Sequence, residues 1–199
     1  YDPTKGRVLI DGVDLREIRI NSWWDTLGCL FQDFHGYILT AKDSIALGDV
    51  HSELDFPRVV EAGGKAGVDA MMTDWEHGWD QLIGRGYSDA VELSAGQHQR
   101  LALARLFYRD PRIMLLDEPT SWVDVPTEGK IFRALRESTK DRTLIFISHR
   151  FSTVRQADEI VLIQDGTITE QGSHRELMAK DGDYAARFHE EAQHYQYKE

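Results

Sequence analysis

A chain of 199 residues is long enough for one domain with a substantial hydrophobic core. Its 41% hydrophobic and 29% charged residues are ordinary for a globular protein. A net charge of -11 argues against a nucleic-acid partner, which calls for a basic face, but leaves room for a nucleotide held by a few local donors and a metal ion.

In chain order, Arg7–Ile10, the Asp11-Gly12 pair and Val13–Leu15 read as a strand, a tight turn and a second strand. Leu27–Phe31 is a short apolar run, expected to be a buried strand. It holds the single cysteine, Cys29, so no intrachain disulfide can form and a reduced core residue is expected. From Phe34 to about Asp89 the pattern turns helical, as in Phe56–Ala66 and Val68–Trp75, and predicts a mostly helical insertion. Leu93–Gln97 opens a further helix to about Tyr108, with Ser94 as its N-cap. Ile113–Leu116 and Thr143–Ile147 are buried-strand runs, and Pro126–Ser138 is a helix with proline in its first turn. Ile160–Ile163 and Thr167–Glu170 flank Asp165-Gly166 as a hairpin. Ser173 with Glu176 forms a capping box, and a last helix starts near Gly182 and frays near Tyr195. Strands alternating with helices predict an α/β fold with a sheet that is largely parallel at its centre. The N-terminus is no signal peptide, and no apolar run is long enough to cross a bilayer, so work at a membrane would need another segment to hold the chain there.

Three of the apolar strands end in polar residues that are odd for a core: Gln32-Asp33, Asp117-Glu118 and Ser148-His149. Any one alone is an ordinary strand-to-loop residue. Together they point to a site, because ligands of open α/β sheets bind beyond the carboxyl ends of the strands. Magnesium takes oxygen ligands and keeps several waters, which suits Asp117 and Gln32. A second carboxylate, Glu118, can orient or deprotonate an attacking water. His149 can hydrogen-bond a terminal phosphate. The helix opening at Ser94 has free N–H groups of the kind that bind phosphate.

Several segments carry a resemblance to one family. LSAGQ (93–97), IMLLDEPTS (113–121), SWVD (121–124) and ISHR (147–150) resemble the signature motif, Walker B, D-loop and switch histidine of ABC-transporter ATPase domains. FQD (31–33) resembles the Q-loop, IGRG (83–86) the stretch before the signature in ABC exporters, and YDPTKGRVLIDGVDL (1–15) the segment after the phosphate loop. DGTITEQGSHREL (165–177) resembles the family's C-terminal hairpin and helix. The resemblance implies a P-loop NTPase-type ABC ATPase core formed by residues 1–33 and 110–199, with an N-terminal β element and a helical signature subdomain over 34–109. It also implies ATP and Mg2+ as cofactors, with Glu118 and His149 catalytic, Asp117 and Gln32 on the metal, and Gln32, Ser94, Ala95, Gly96, Gln97 and Asp124 around ATP. Its partners would be a second ABC ATPase domain in a head-to-tail dimer and a transmembrane domain, at the cytoplasmic face of a membrane, with no nucleic acid. Ser94–Gln97 would face the nucleotide held by the partner, and Phe34–Ala46 would meet the transmembrane domain.

The phosphate loop G-x-x-x-x-G-K-[ST] does not occur. Gly64-Lys65 has Val59 and Ala66 at the deciding positions and lies in a helical pattern. In the family the loop precedes the residues matching Tyr1-Asp2-Pro3, so the expectation is a truncated chain, inactive alone. Ala95 stands where the family usually has glycine, and Trp122-Val123 are bulkier than usual for a D-loop. His189-Glu190 with His194 imitates a zinc motif, but histidines five apart diverge on a helix. Asp89 stands where Gly84-Arg85-Gly86 would need a third glycine for a dinucleotide fingerprint. Trp23, Trp24, Trp75 and Trp79 read as packing or partner-surface residues. Two other functions compete: a soluble ABC-type ATPase outside transport, which coiled coils or a basic arm would mark, and a non-catalytic dimerisation module.

Overall fold

Short apolar runs and capped helical stretches alternate along the sequence, and a computed structural model of residues 2–33 and 36–196, with side chains described to residue 192, shows what they build. The chain divides into two compact units, Tyr1–Ile147 and Ser148–Glu199.

The first unit begins with β1 (Leu9–Ile10) and β2 (Val13–Asp14), an antiparallel hairpin. Asp11 (φ 49°) and Gly12 (φ 81°) supply the two left-handed residues that a tight turn of this twist requires. Its strands are shorter than expected because Leu15 enters a 3-10 turn, Leu15–Glu17, which the Asp14 carboxylate caps by accepting the Arg16 N–H at 3.0 Å. Helix α1 (Ile20–Thr26) feeds β3 (Leu27–Leu30). β3 pairs in parallel with β7 (Ile113–Asp117), which pairs in parallel with β8 (Thr143–Ile147). Parallel neighbours need long crossovers, and here they are helical.

The first crossover holds β4 (Leu39–Thr40), α2 (Ala41–Ala46), α3 (Phe56–Ala66), β5 (Leu82–Ile83), β6 (Ala90–Val91) and α4 (Ala95–Arg109). β4, β5 and β6 form a small mixed sheet that the helical pattern did not announce, since two-residue strands carry no periodic signal. The expected helix over Val68–Trp75 is instead a 3-10 stretch, Asp69–Asp74. Gly67 (φ 73°) closes α3 in the left-handed conformation, and only a few residues remain before Trp75 turns extended and buries its ring. That is too short to nucleate an α-helix.

Helix α4 lies at the centre of the core. Its Leu103, Ala104 and Tyr108 are fully buried and cluster with Ile45 of α2, Val59 of α3, Met114 of β7 and Ile131 and Leu135 of α5 (Val125–Ser138). At its C-terminus Arg109 donates to the backbone oxygens of Leu27 (3.0 Å) and Gly48 (3.3 Å), tying α4 to the start of β3. Cys29 is half-buried rather than a full core residue, on the strand face opposite Gly28 and Leu30. Burial raises its thiol pKa, which keeps it protonated and unreactive.

The second unit holds α6 (Phe151–Val154), β9 (Ile160–Gln164), β10 (Thr167–Gly172), α7 (His174–Lys180) and α8 (Asp183–Gln196). β9 and β10 form the expected hairpin on Asp165 (φ 48°) and Gly166 (φ 75°). The capping box at Ser173 and Glu176 is complete. Ile160, Leu177 and Tyr184 make a separate small core, against which Phe151 packs. The tail expected to fray near Tyr195 falls where side chains lie outside the described residues, as does His194. Among the described residues, no helix is long and apolar enough to cross a membrane.

Candidate active site

The strand register decides which polar ends meet. Leu30 of β3 aligns with Leu116 of β7, which aligns with Phe146 of β8, and Asp117 aligns with Ile147. Gln32, Asp117 and Glu118 therefore leave the parallel sheet at the same carboxyl edge, where α/β folds place their ligands. Gln32 is exposed, and Asp117 and Glu118 are half-buried. His149 is exposed and stands at the start of the second unit, two residues beyond the end of β8.

Glu118 has φ 50°, a left-handed backbone that costs a non-glycine residue about 1–3 kcal/mol in an unfavourable setting. Its peptide groups are held on both sides. The N–H donates to the Ile147 oxygen of β8 at 3.0 Å, and the carbonyl accepts from the Gln99 side chain at 2.9 Å and the Ser121 hydroxyl at 3.2 Å. The neighbouring strand and the α4 helix together enforce a conformation that the glutamate would not choose alone.

Ser94 caps α4 through a full capping box: its hydroxyl accepts the Gln97 N–H at 3.3 Å, and the Gln97 amide oxygen accepts the Ser94 N–H at 2.8 Å. This leaves the N–H groups of Ala95 and Gly96 as the helix's open donors, at the positive end of its dipole. Ala95 is exposed, so its methyl group has room. Gly96 does not have that freedom, because a Cβ there would run into the carbonyl oxygen of Trp122.

Trp122 is itself exposed, while Val123 beside it is buried. Asp124 caps α5 by accepting the Thr127 N–H at 3.1 Å, and its other oxygen lies 3.4 Å from Arg100 of α4. The Thr127 hydrogen bonds, aided by Arg100, hold the Asp124 carboxyl below its ordinary pKa. A depressed carboxyl contributes stability that is present above its unfolded pKa, about 3.9, and is lost as pH falls through the folded value. Asp124→Ala is therefore expected to cost about 0.5–2 kcal/mol at neutral pH, as a lost N-cap, and progressively less in acid. Urea denaturation at several pH values checks this, and an equal cost at all pH values would contradict it.

Sequence reasoning missed Gln99. It is 2% exposed, and its amide bridges α4 to the backbone of Glu118 and Trp122. A signal existed: Gln99 shares the helical stripe of Leu103, Leu106 and Phe107, and a polar group on an apolar stripe needs partners.

Among the described residues, no group of three or more His, Cys, Asp or Glu side chains forms a cation cage. Mg2+ does not need one, since it retains waters and binds through one or two protein oxygens and the substrate's phosphates. Asp117 and Gln32, at one sheet edge, fit that donor requirement.

A parallel sheet with a carboxylate pair at its carboxyl edge and a capped helix in its crossover has the α/β architecture of ligand-binding folds. The family model described as ABC transporter matches residues 1–121, and the chain belongs to the ABC transporter family. ABC transporter B family member 13 of Arabidopsis thaliana is 37% identical over 93% of this chain and 14% of its own length. A protein of Staphylococcus aureus (strain NCTC 8325 / PS 47), named as a candidate multidrug export ATP-binding/permease protein, is 40% identical over 92% of this chain and 31% of its own length. Among solved structures, a bacterial Atm1-family ABC exporter with ATP bound superposes with a TM-score of 0.88 at 34% identity, covering 96% of this chain and 33% of that one. The chain thus spans a third or less of the length of these relatives.

Proposed function

We propose that this chain is the ATP-hydrolysing domain of an exporter-type ABC transporter, working on the cytoplasmic face of a membrane against a transmembrane domain. The observation that carries this reading is Glu118, held at the carboxyl edge of the sheet in a left-handed conformation beside Asp117. Residues 34–109 act as the signature subdomain on a core of 1–33 and 110–199. The domain pairs head to tail with a second ABC ATPase domain. Ser94, Ala95, Gly96 and Gln97 present their donors to the partner's ATP, and Asp124 lies at the contact between the two domains. Phe34–Ala46 meets the transmembrane domain; Phe34 and His35 lie outside the described residues.

Asp117 and Gln32 supply oxygens to Mg2+, which when bound neutralises phosphate charge. Glu118 accepts the proton of the attacking water, and His149 donates a hydrogen bond to the terminal phosphate. The phosphate-gripping loop that this chemistry needs is not among these residues, so residues 1–199 alone are expected to bind ATP weakly and hydrolyse it negligibly. Phosphate release by the purified 199-residue chain, beside a chain extended to include a phosphate loop, tests this. Mg2+-dependent turnover by the short chain would overturn the expectation, and an inactive extended chain would overturn the proposed function.

A further inference from the structure

The family motifs explain Ser94–Gln97 and Asp117–Asp124 separately, but the structure joins them through one buried side chain. The Gln99 Nε2 donates to the Glu118 carbonyl at 2.9 Å and lies 3.4 Å from the Ser121 hydroxyl, while its Oε1 accepts the Trp122 N–H at 3.1 Å. A carbonyl on one side and an N–H on the other fix the amide's orientation, because the flipped amide would lose both bonds. One turn earlier on the same helix, Gly96 packs directly on the carbonyl of Trp122. α4 thus bonds the Trp122 N–H through Gln99 and closely abuts its carbonyl oxygen at Gly96. Arg100 adds a longer contact from α4 to Asp124.

We propose that Gln99 is a positioning residue that couples the two half-sites of the domain. It holds the backbone of Glu118 and Trp122 in register with the N-terminus of α4, so that movement of the Ser94–Gln97 donors is transmitted to the carboxylate on the chain's own side. The reasoning is local and mechanical. Glu118 sits in a backbone conformation that needs external support, and Gln99 is the side chain that supports its carbonyl from the helix. Gln99 is buried away from solvent, and its uncharged amide offers a donor and an acceptor together. The proposal rests on the reading of Glu118 as the catalytic base.

The test uses the full-length transporter chain. Gln99→Leu removes both bonds, leaving the Glu118 carbonyl to Ser121 and the Trp122 N–H without the Gln99 acceptor, and kcat for ATP is expected to fall about tenfold or more with KM little changed. Gln99→Glu separates positioning from packing. Its ionised carboxylate has no donor for the Glu118 carbonyl, whereas the neutral acid regains one, and burial raises its pKa toward neutrality. The kcat of Gln99→Glu relative to wild type is therefore expected to rise several-fold from about pH 8 to about pH 6. A flat ratio across that range, or a Gln99→Leu protein with wild-type kcat, overturns the proposal. So does a loss confined to Tm, with turnover per folded molecule unchanged. Glu118→Gln is run in parallel. If it stays active, the base assignment itself fails. If it is inactive while Gln99 variants turn over normally, only the coupling role fails.

Discussion

On the proposed role of Glu118 as the base, Glu118→Gln in a chain extended to include a phosphate loop is expected to lower ATP turnover by about 10²–10⁴-fold while leaving nucleotide binding intact. The substitution keeps side-chain length and shape, so little backbone change is expected. The left-handed conformation of residue 118 is set by main-chain groups, namely its N–H to Ile147 and its carbonyl to Gln99, and neither bond involves the carboxylate. What is lost is the proposed proton acceptor. An amide can still align a water through its oxygen but cannot take its proton, so the loss falls on kcat rather than on KM. Phosphate release and ATP binding measured on the same preparation decide the matter. Wild-type turnover in Glu118→Gln would remove Glu118 from the catalytic role.

A second large effect is expected from Gly96→Val. An ordinary glycine in the first turn of a helix is mildly unfavourable, and a larger residue there would add up to about 1 kcal/mol of helix stability. Gly96 is different because its missing Cβ is where the Trp122 carbonyl passes. The obstructing atom is backbone, which cannot rotate away as a side-chain tip can. The new methyl groups must push the Trp122 peptide aside, and the bond from the Trp122 N–H to Gln99 must shift with it. Displacing a catalytic segment by about 1 Å can cost about 100-fold in rate, and overpacking costs about 1–3 kcal/mol of stability. The expected outcome is a folded protein of lower Tm whose turnover falls by about that factor. Gly129→Val in α5 serves as the control, since a Cβ there meets nothing within 4 Å. Equal losses at both positions would show that bulk added to a helix, not the Trp122 contact, is responsible.

Much of the candidate site was legible from side-chain chemistry. Asp117 and Glu118 follow an apolar run, Ser94 precedes an amphipathic helix with Gln97 at the reciprocal capping position, and each of these assignments depends only on near neighbours in the chain. The Asp-Gly turns at residues 11–12 and 165–166 were legible for the same reason, because left-handed backbone restricts residue choice locally. The 3-10 stretch Asp69–Asp74 and the two-residue strands β4, β5 and β6 were not. Elements that short are selected by their surroundings, and their own sequences carry too few positions to show a period.

The sequence by itself determined the parallel order of strand-ending polar residues, the helix caps and the family motifs, because these follow from residue type and spacing along one chain. Only the tertiary structure decided that Leu30, Leu116 and Phe146 stand in one register, which places Gln32 and Asp117 at a common edge. It alone showed that Glu118 is left-handed, that Gly96 is required by a carbonyl 26 positions further along, and that Gln99 holds both segments together. Those features are contacts between segments far apart in the chain, and no local propensity encodes which peptide group a buried amide will meet once the core has closed around it.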